Sequence, residues 1–98
     1  MARSAVKVEP LDKSVRIYAE RGTPYAGSIK FNLQLALLYE KSKWPQGANY
    51  AEASRAWRAI AGAIDNKALK ERVMMRADEN MQRSSVARSM EPKSLARG

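Results

Sequence analysis

The sequence predicts a mainly α-helical domain in which about three helices pack around Trp57. Two stretches, residues 49–65 and residues 67–82, place apolar side chains three or four positions apart, so each stretch has one apolar helix face. The first face consists of Ala53, Trp57, Ile60 and Ile64, and the second of Leu69, Val73, Ala77 and Met81, with Met74 beside them. Because Trp57 is the only large ring in its face, we expect the core to form around it.

The N-terminal part carries signals for extended chain. Residues 1–13 are expected to form an irregular arm, which Pro10 interrupts. Residues 14–19 alternate apolar and polar side chains, which favours a short strand. Residues 21–27 contain two glycines and a proline and therefore indicate a turn.

Residues 28–43 are compatible with two structures. Apolar residues occupy alternate positions in residues 28–35, which is the period of a strand and would make residues 14–35 a β-hairpin. The second half contains good helix formers, Ser28 is a suitable N-cap, and sixteen residues is long for a strand. We therefore predict a helix, with a strand over residues 28–35 as the alternative. The apolar residues surround the helix axis, so such a helix has to be buried on several sides.

The two remaining helices carry capping signals. Asn49 is a good N-cap for the central helix, and Glu52, three residues later, completes a capping box. Asp65 and Asn66 are expected to end that helix and to cap the next one.

The last segment, residues 83–98, is rich in serine and arginine, contains a proline and has no sustained period. We predict that it is a flexible basic tail. The predicted organisation is thus an arm at residues 1–13, a small helical core domain at residues 14–82 and a tail at residues 83–98.

Neither cysteine nor histidine occurs in the chain. Disulfides, thiolate or histidine metal sites, and catalytic pairs built on either residue are therefore excluded. Glu71, Asp78 and Glu79 are candidates for a carboxylate cation site, but they are interleaved with basic residues, so solvated ion pairs are the expected role. We expect a non-enzymatic protein without a cofactor or a metal.

The longest unbroken apolar run is residues 35–39, whereas a membrane helix needs about 20 residues. The first residues lack the apolar segment of a secretory signal. The expected location is the cytoplasm, without a membrane partner.

The formal net charge is +8, from 18 basic and 10 acidic residues. Most of the excess lies in residues 21–48 and in residues 83–98. Such a balance predicts attraction to polyanions, which include nucleic acid and acidic protein surfaces.

Three sets of basic residues are the candidates for binding such a partner. The central helix contributes Arg55 and Arg58, one turn apart on its outer face. The next helix contributes a second set, and in the tail basic residues recur every four or five positions. The second set consists of Lys67, Lys70, Arg72 and Arg76, and the third of Arg83, Arg88, Lys93 and Arg97.

These features predict a basic binding protein. The first hypothesis is a nucleic-acid-associated protein that holds phosphates, whose size and charge suggest a phage or mobile element. The alternative is a protein-interaction module, an adaptor, assembly component or inhibitor, that docks on an acidic partner surface. Because a core of about 70 residues is only marginally sufficient, a homo-oligomer or a subunit of a larger complex is expected.

Residues 31–66 resemble one helical hairpin of the tetratricopeptide repeat family. The matching positions are Leu35, Ala36 and Tyr39 in the first helix and Ala53, Trp57 and Ile60 in the second. Asp65 replaces the usual proline and no second copy occurs, so the resemblance implies helix packing and not membership. A helix-turn-helix across Asp65 and Asn66, with residues 67–82 reading DNA, is a further alternative.

Overall fold

The computed structural model describes residues 9–43 and 45–90. These residues form four α-helices, which are α1 Leu11–Glu20, α2 Ala26–Lys41, α3 Gln46–Gly62 and α4 Lys67–Met90. No strand occurs in the described residues. The prediction of a mainly helical fold is therefore confirmed, while the number of helices is four instead of three.

Helix α1 occupies a segment that was predicted to be the end of an arm and a short strand. Residues 14–19 lie within α1, and residues 11–13 form its first turn. The helix buries Val15 and Ala19, which are one turn apart, so packing on the other helices overrides the strand propensity of this segment. Residues 1–8 of the predicted arm lie outside the described residues.

Helix α2 includes residues 28–35, so the β-hairpin alternative is wrong. The preceding turn contains Gly22 with a φ of 96°, in the left-handed region that favours glycine. The buried residues of α2 are Ile29, Leu33 and Ala36. Phe31 and Leu38 are exposed, so within this chain α2 is covered on fewer sides than its composition predicted.

Helix α3 begins three residues earlier than predicted. Pro45 precedes it in an extended conformation, and the N–H of Asn49 donates to the Pro45 carbonyl to close the first turn. Asn49 is therefore inside the helix and not its cap. All four residues of the predicted apolar face are buried, and Trp57 belongs to the main hydrophobic cluster.

The helices form a flat arrangement in which α3 lies between α2 and α4. Helix α1 packs on α2 and on α4. The core cluster draws on all four helices, for example through Val15, Leu33, Trp57 and Val73. The Cα atoms extend over 49 Å by 40 Å by only 18 Å. Much of the outer surface of each helix therefore stays exposed.

Helix α4 continues through Met90, so residues 83–90 of the predicted flexible tail are helical. Ser84 is buried and donates its hydroxyl to the Gly47 carbonyl at 2.6 Å, which ties the second half of α4 to the start of α3. The buried line of α4 runs through Val73, Ala77, Asn80 and Ser84, whereas Met81 is exposed. Residue 82 is not the end of a helix, and residues 91–98 lie outside the described residues.

Helices α3 and α4 pair side by side as an antiparallel hairpin. Ser84 meets Gly47 at one end, and Arg58 meets Asp78 nearer the connection. At the connection the Asn66 side chain accepts the Leu69 N–H at 2.9 Å, as expected for the N-cap of α4. The helices of a helix-turn-helix cross at a large angle, so this pairing does not agree with that alternative. Among the described helices, none has both the length and the hydropathy that crossing a bilayer requires.

Candidate functional site

The basic residues predicted to bind an anionic partner do not form one patch. Three of them donate hydrogen bonds within the fold, which are Arg58, Arg72 and Arg76. Five are exposed and form no ion pair with another described residue, which are Arg55, Lys67, Lys70, Arg83 and Arg88. Lys67 and Arg88 lie about 30 Å apart along α4. Lys93 and Arg97 lie outside the described residues.

Glu40, near the end of α2, accepts hydrogen bonds from two other helices. Its carboxylate accepts the Trp57 indole N–H at 2.8 Å, two N–H groups of Arg76 at 2.8 Å and 2.9 Å, and the Asn80 amide at 2.7 Å. The Arg76 guanidinium also lies over the Trp57 ring, 5.2 Å from its centroid. The network joins α2, α3 and α4 at one point.

The environment of Glu40 favours its charged form. Burial raises the pKa of this carboxyl, but the hydrogen bonds from Arg76, Asn80 and Trp57 together lower the pKa below its ordinary value. The hydrogen bonds that Arg76 donates to Glu40 raise the pKa of Arg76 against the opposing effect of burial. Arg76, one of the residues predicted to contact a partner, donates these bonds to Glu40 within the fold. In the sequence, Glu40 is a lone carboxylate within the apolar α2 segment. A carboxylate in such surroundings needs a hydrogen-bonding or cationic group of the same fold, which is the signal that could have predicted this network.

An apolar ridge crosses the outer face of α2. Phe31, Leu35 and Leu38 stand at i, i+4 and i+7 and therefore share one side of the helix. Phe31 is 62% exposed and Leu38 is 60% exposed, while Leu35 is half-buried. Isolated exposed apolar residues are common, but several on one helix face form a patch that is typical of an interaction site. We call these three residues the α2 ridge.

Beside the ridge, a cavity of about 310 Å³ lies between α2 and α3. The α2 wall consists of Asn32, Leu35 and Tyr39, and the α3 wall of Glu52, Arg55, Ala56 and Ala59. The short alanine side chains do not fill the space between the two helices, so the cavity stays open. Because Leu35 belongs to both features, the ridge and this cavity, which we call the α2–α3 groove, form one continuous surface.

Basic residues stand on both sides of the α2 ridge. Lys30 and Lys41 are exposed and, eleven residues apart, lie on the same side of α2, away from the groove. Arg55 stands across the groove on α3. Glu40 is the only acidic residue of α2, and its carboxylate is bound inside the network. Glu52 is the one carboxylate that lines the groove, so basic residues predominate around the ridge.

Another cavity, of about 590 Å³, lies between the start of α3 and the second half of α4. Tyr50 and Val86 line it, together with the oppositely charged Glu79 and Arg83. Its charges are therefore balanced, unlike those around the α2 ridge. Within the described part of the chain, no group of three acidic side chains is placed to hold a metal ion.

Comparison with protein-family models, with curated proteins and with solved structures gave no match to this chain. The resemblance of residues 31–66 to a tetratricopeptide hairpin therefore remains an expectation from the sequence alone.

Proposed function

We propose that this protein is an interaction module that docks on an acidic partner protein through the α2 ridge. The observation that carries the proposal is the exposure of Phe31 and Leu38 on one helix face, with Lys30 and Lys41 beside them and Arg55 opposite. Apolar contacts supply affinity in such an interface, and complementary charges supply orientation and a faster encounter.

The energetic contributions agree with a moderate, charge-assisted interaction. Burying a large apolar side chain contributes about 1.5–3 kcal/mol, and Phe31 and Leu38 are already partly covered. Association costs at least about 4 kcal/mol in lost freedom of motion. The ridge alone therefore gives weak binding, and the flanking basic residues are needed to select and orient the partner.

Substitution of the ridge is expected to weaken this binding. Peptides selected from a random displayed library on the wild-type protein should be rich in acidic and large apolar residues. The double variant Phe31→Ser and Leu38→Ser should bind them at least about tenfold more weakly, because the apolar contacts are lost. The matched control is Met75→Ser on α4, since Met75 is 63% exposed but lies off the ridge. Selection of basic peptides, or equal binding by the ridge variant, would contradict the proposal.

A second candidate function is nucleic-acid binding, which a different observation favours. Arg83 and Arg88 are exposed on the second half of α4 without an ion pair to another described residue, and Lys93 and Arg97 follow in the sequence. Four phosphate contacts by these residues would make binding strongly dependent on salt and independent of base sequence.

Titration with a generic duplex and with a single strand tests this second function. If these residues bind phosphates, affinity should fall about 100-fold between about 50 mM and about 200 mM salt. Arg83→Gln with Arg88→Gln should reduce the slope of log affinity against log salt by about 2. Lys30→Gln with Lys41→Gln changes the net charge equally and should leave the slope unchanged. Absence of binding at low salt would exclude this function.

A further inference from the structure

We infer that the partner segment is one amphipathic α-helix with acidic flanks, which lies along the α2–α3 groove. This inference rests on the proposed docking function and adds the conformation, position and charge of the bound segment. Three features of the groove support it.

The first feature is the chemistry of the walls. Both sides of the groove are α-helices, whose backbone N–H and C=O groups are already used within each helix. A bound strand would find no backbone partners there, and its own polar groups would lose water without compensation. A helix satisfies its own backbone and presents only side chains, so it fits these walls.

The second feature is the size of the groove. One turn of an α-helix with its side chains occupies about 400 Å³, more than the cavity of about 310 Å³. The bound helix therefore lies on the groove and inserts side chains between Leu35 and Tyr39 on α2 and Ala59 on α3. The short alanine side chains of α3 permit this close approach. Phe31 and Leu38 contact one side of the bound helix.

The third feature is the charge. Lys30 and Lys41 are about 16 Å apart along α2, so a partner that meets both has at least three helical turns. Arg55 meets the opposite flank. A second copy of this chain is a poor occupant, because a symmetric α2–α2 contact would bring lysines together without an exposed acidic residue on α2.

Designed peptides test the bound conformation. The probe is a peptide of about 18 residues with leucines at i, i+3, i+4 and i+7 and glutamates on both flanks. It should bind the intact chain, and a version with the same composition but a central proline should bind at least about tenfold more weakly. A version with lysines in place of the glutamates should lose at least as much affinity. Equal binding of all three peptides would overturn the inference.

Protein variants test the position. Ala59→Phe fills the groove and should weaken binding of the glutamate peptide about tenfold. The control is Ala48→Phe, which lies on the same exposed face of α3 about 16 Å away and should bind normally. Arg55→Glu should weaken binding of the glutamate peptide and strengthen binding of the lysine peptide. Circular dichroism checks that each variant retains its helices.

The outcomes separate this inference from the function on which it rests. If library-selected peptides depend on Phe31 and Leu38 but are indifferent to Ala59→Phe and to a central proline, the docking function stands and the helical occupant is wrong. If no acidic peptide depends on the ridge, both fail. Concentration-dependent dimerisation through the ridge would make a second copy the occupant and overturn the inference. Ridge-dependent binding to phosphatidylserine vesicles, without peptide binding, would also overturn the inference, because the occupant of the ridge would then be a membrane surface.

Discussion

Replacement of Trp57 by alanine is expected to lower the free energy of unfolding by about 4 kcal/mol and the Tm by about 20 °C. The side chain is fully buried in the main hydrophobic cluster, so its removal leaves a cavity where α2, α3 and α4 meet. The variant also deprives Glu40 of one hydrogen-bond donor. Small domains have about 5–15 kcal/mol of stability, so a large share is lost. Urea unfolding followed by circular dichroism measures the change.

Two controls separate the effect of volume from that of the hydrogen bond. Trp57→Phe keeps most of the ring but removes the indole N–H, and it should cost less than the alanine variant. Tyr25→Ala removes an exposed aromatic ring and should change stability by about 0.5 kcal/mol or less. A loss below about 1 kcal/mol for Trp57→Ala would show that the core does not depend on this residue.

Replacement of Glu40 by alanine is expected to cost about 2–4 kcal/mol. The Glu40 side chain is 12% exposed, so its removal takes a charged acceptor from the partly buried Arg76 and from the fully buried Asn80. Urea unfolding at neutral pH measures the loss. Glu71→Ala removes an exposed carboxylate of α4 and is the matched control, with a change of about 0.5 kcal/mol or less.

The same pair of variants gives a signature in pH. The pKa of Glu40 is lower in the folded than in the unfolded chain, so its contribution is complete above the ordinary carboxyl pKa of about 4.3. It is lost as the pH falls through that value towards the lower pKa of the folded state. The pKa of Arg76 is raised, so this residue stays charged throughout. Wild type and Glu71→Ala should therefore lose more stability between neutral pH and about pH 3 than Glu40→Ala. Equal losses would contradict the assigned network.

The elements that were predicted correctly are those in which the local spacing of apolar and capping residues agrees with the packing in the fold. The stripe around Trp57 is buried as expected, and Asn66 caps α4. Helix α1 was missed because its side chains favour strands locally, while contacts with distant helices decide the outcome. The second half of α4 was missed because the bond between Ser84 and Gly47 joins residues 37 positions apart, which no local pattern reveals.

The candidate site was less predictable than the fold. The charges were visible in the sequence, but their internal partners were not, so the bonds between Arg76 and Glu40 could not be predicted. Apolar residues lie all around the axis of α2, which predicted burial on several sides. This pattern does not tell whether the surface that buries them belongs to the same chain or to a partner. The exposure of Phe31 and Leu38 could be found only once the neighbours of α2 were known.

The exposure of the α2 ridge bears on the behaviour of the isolated chain in solution. The four helices bury one shared core, yet two large apolar side chains of α2 stay on its outside, since Phe31 is 62% exposed and Leu38 is 60% exposed. Exposed apolar patches favour self-association, so the side chains through which the proposed partner would bind are also those expected to lower the solubility of the isolated chain. If the proposed docking function holds, substitutions of Phe31 or Leu38 that raise the solubility of the free protein should also weaken its binding to the partner.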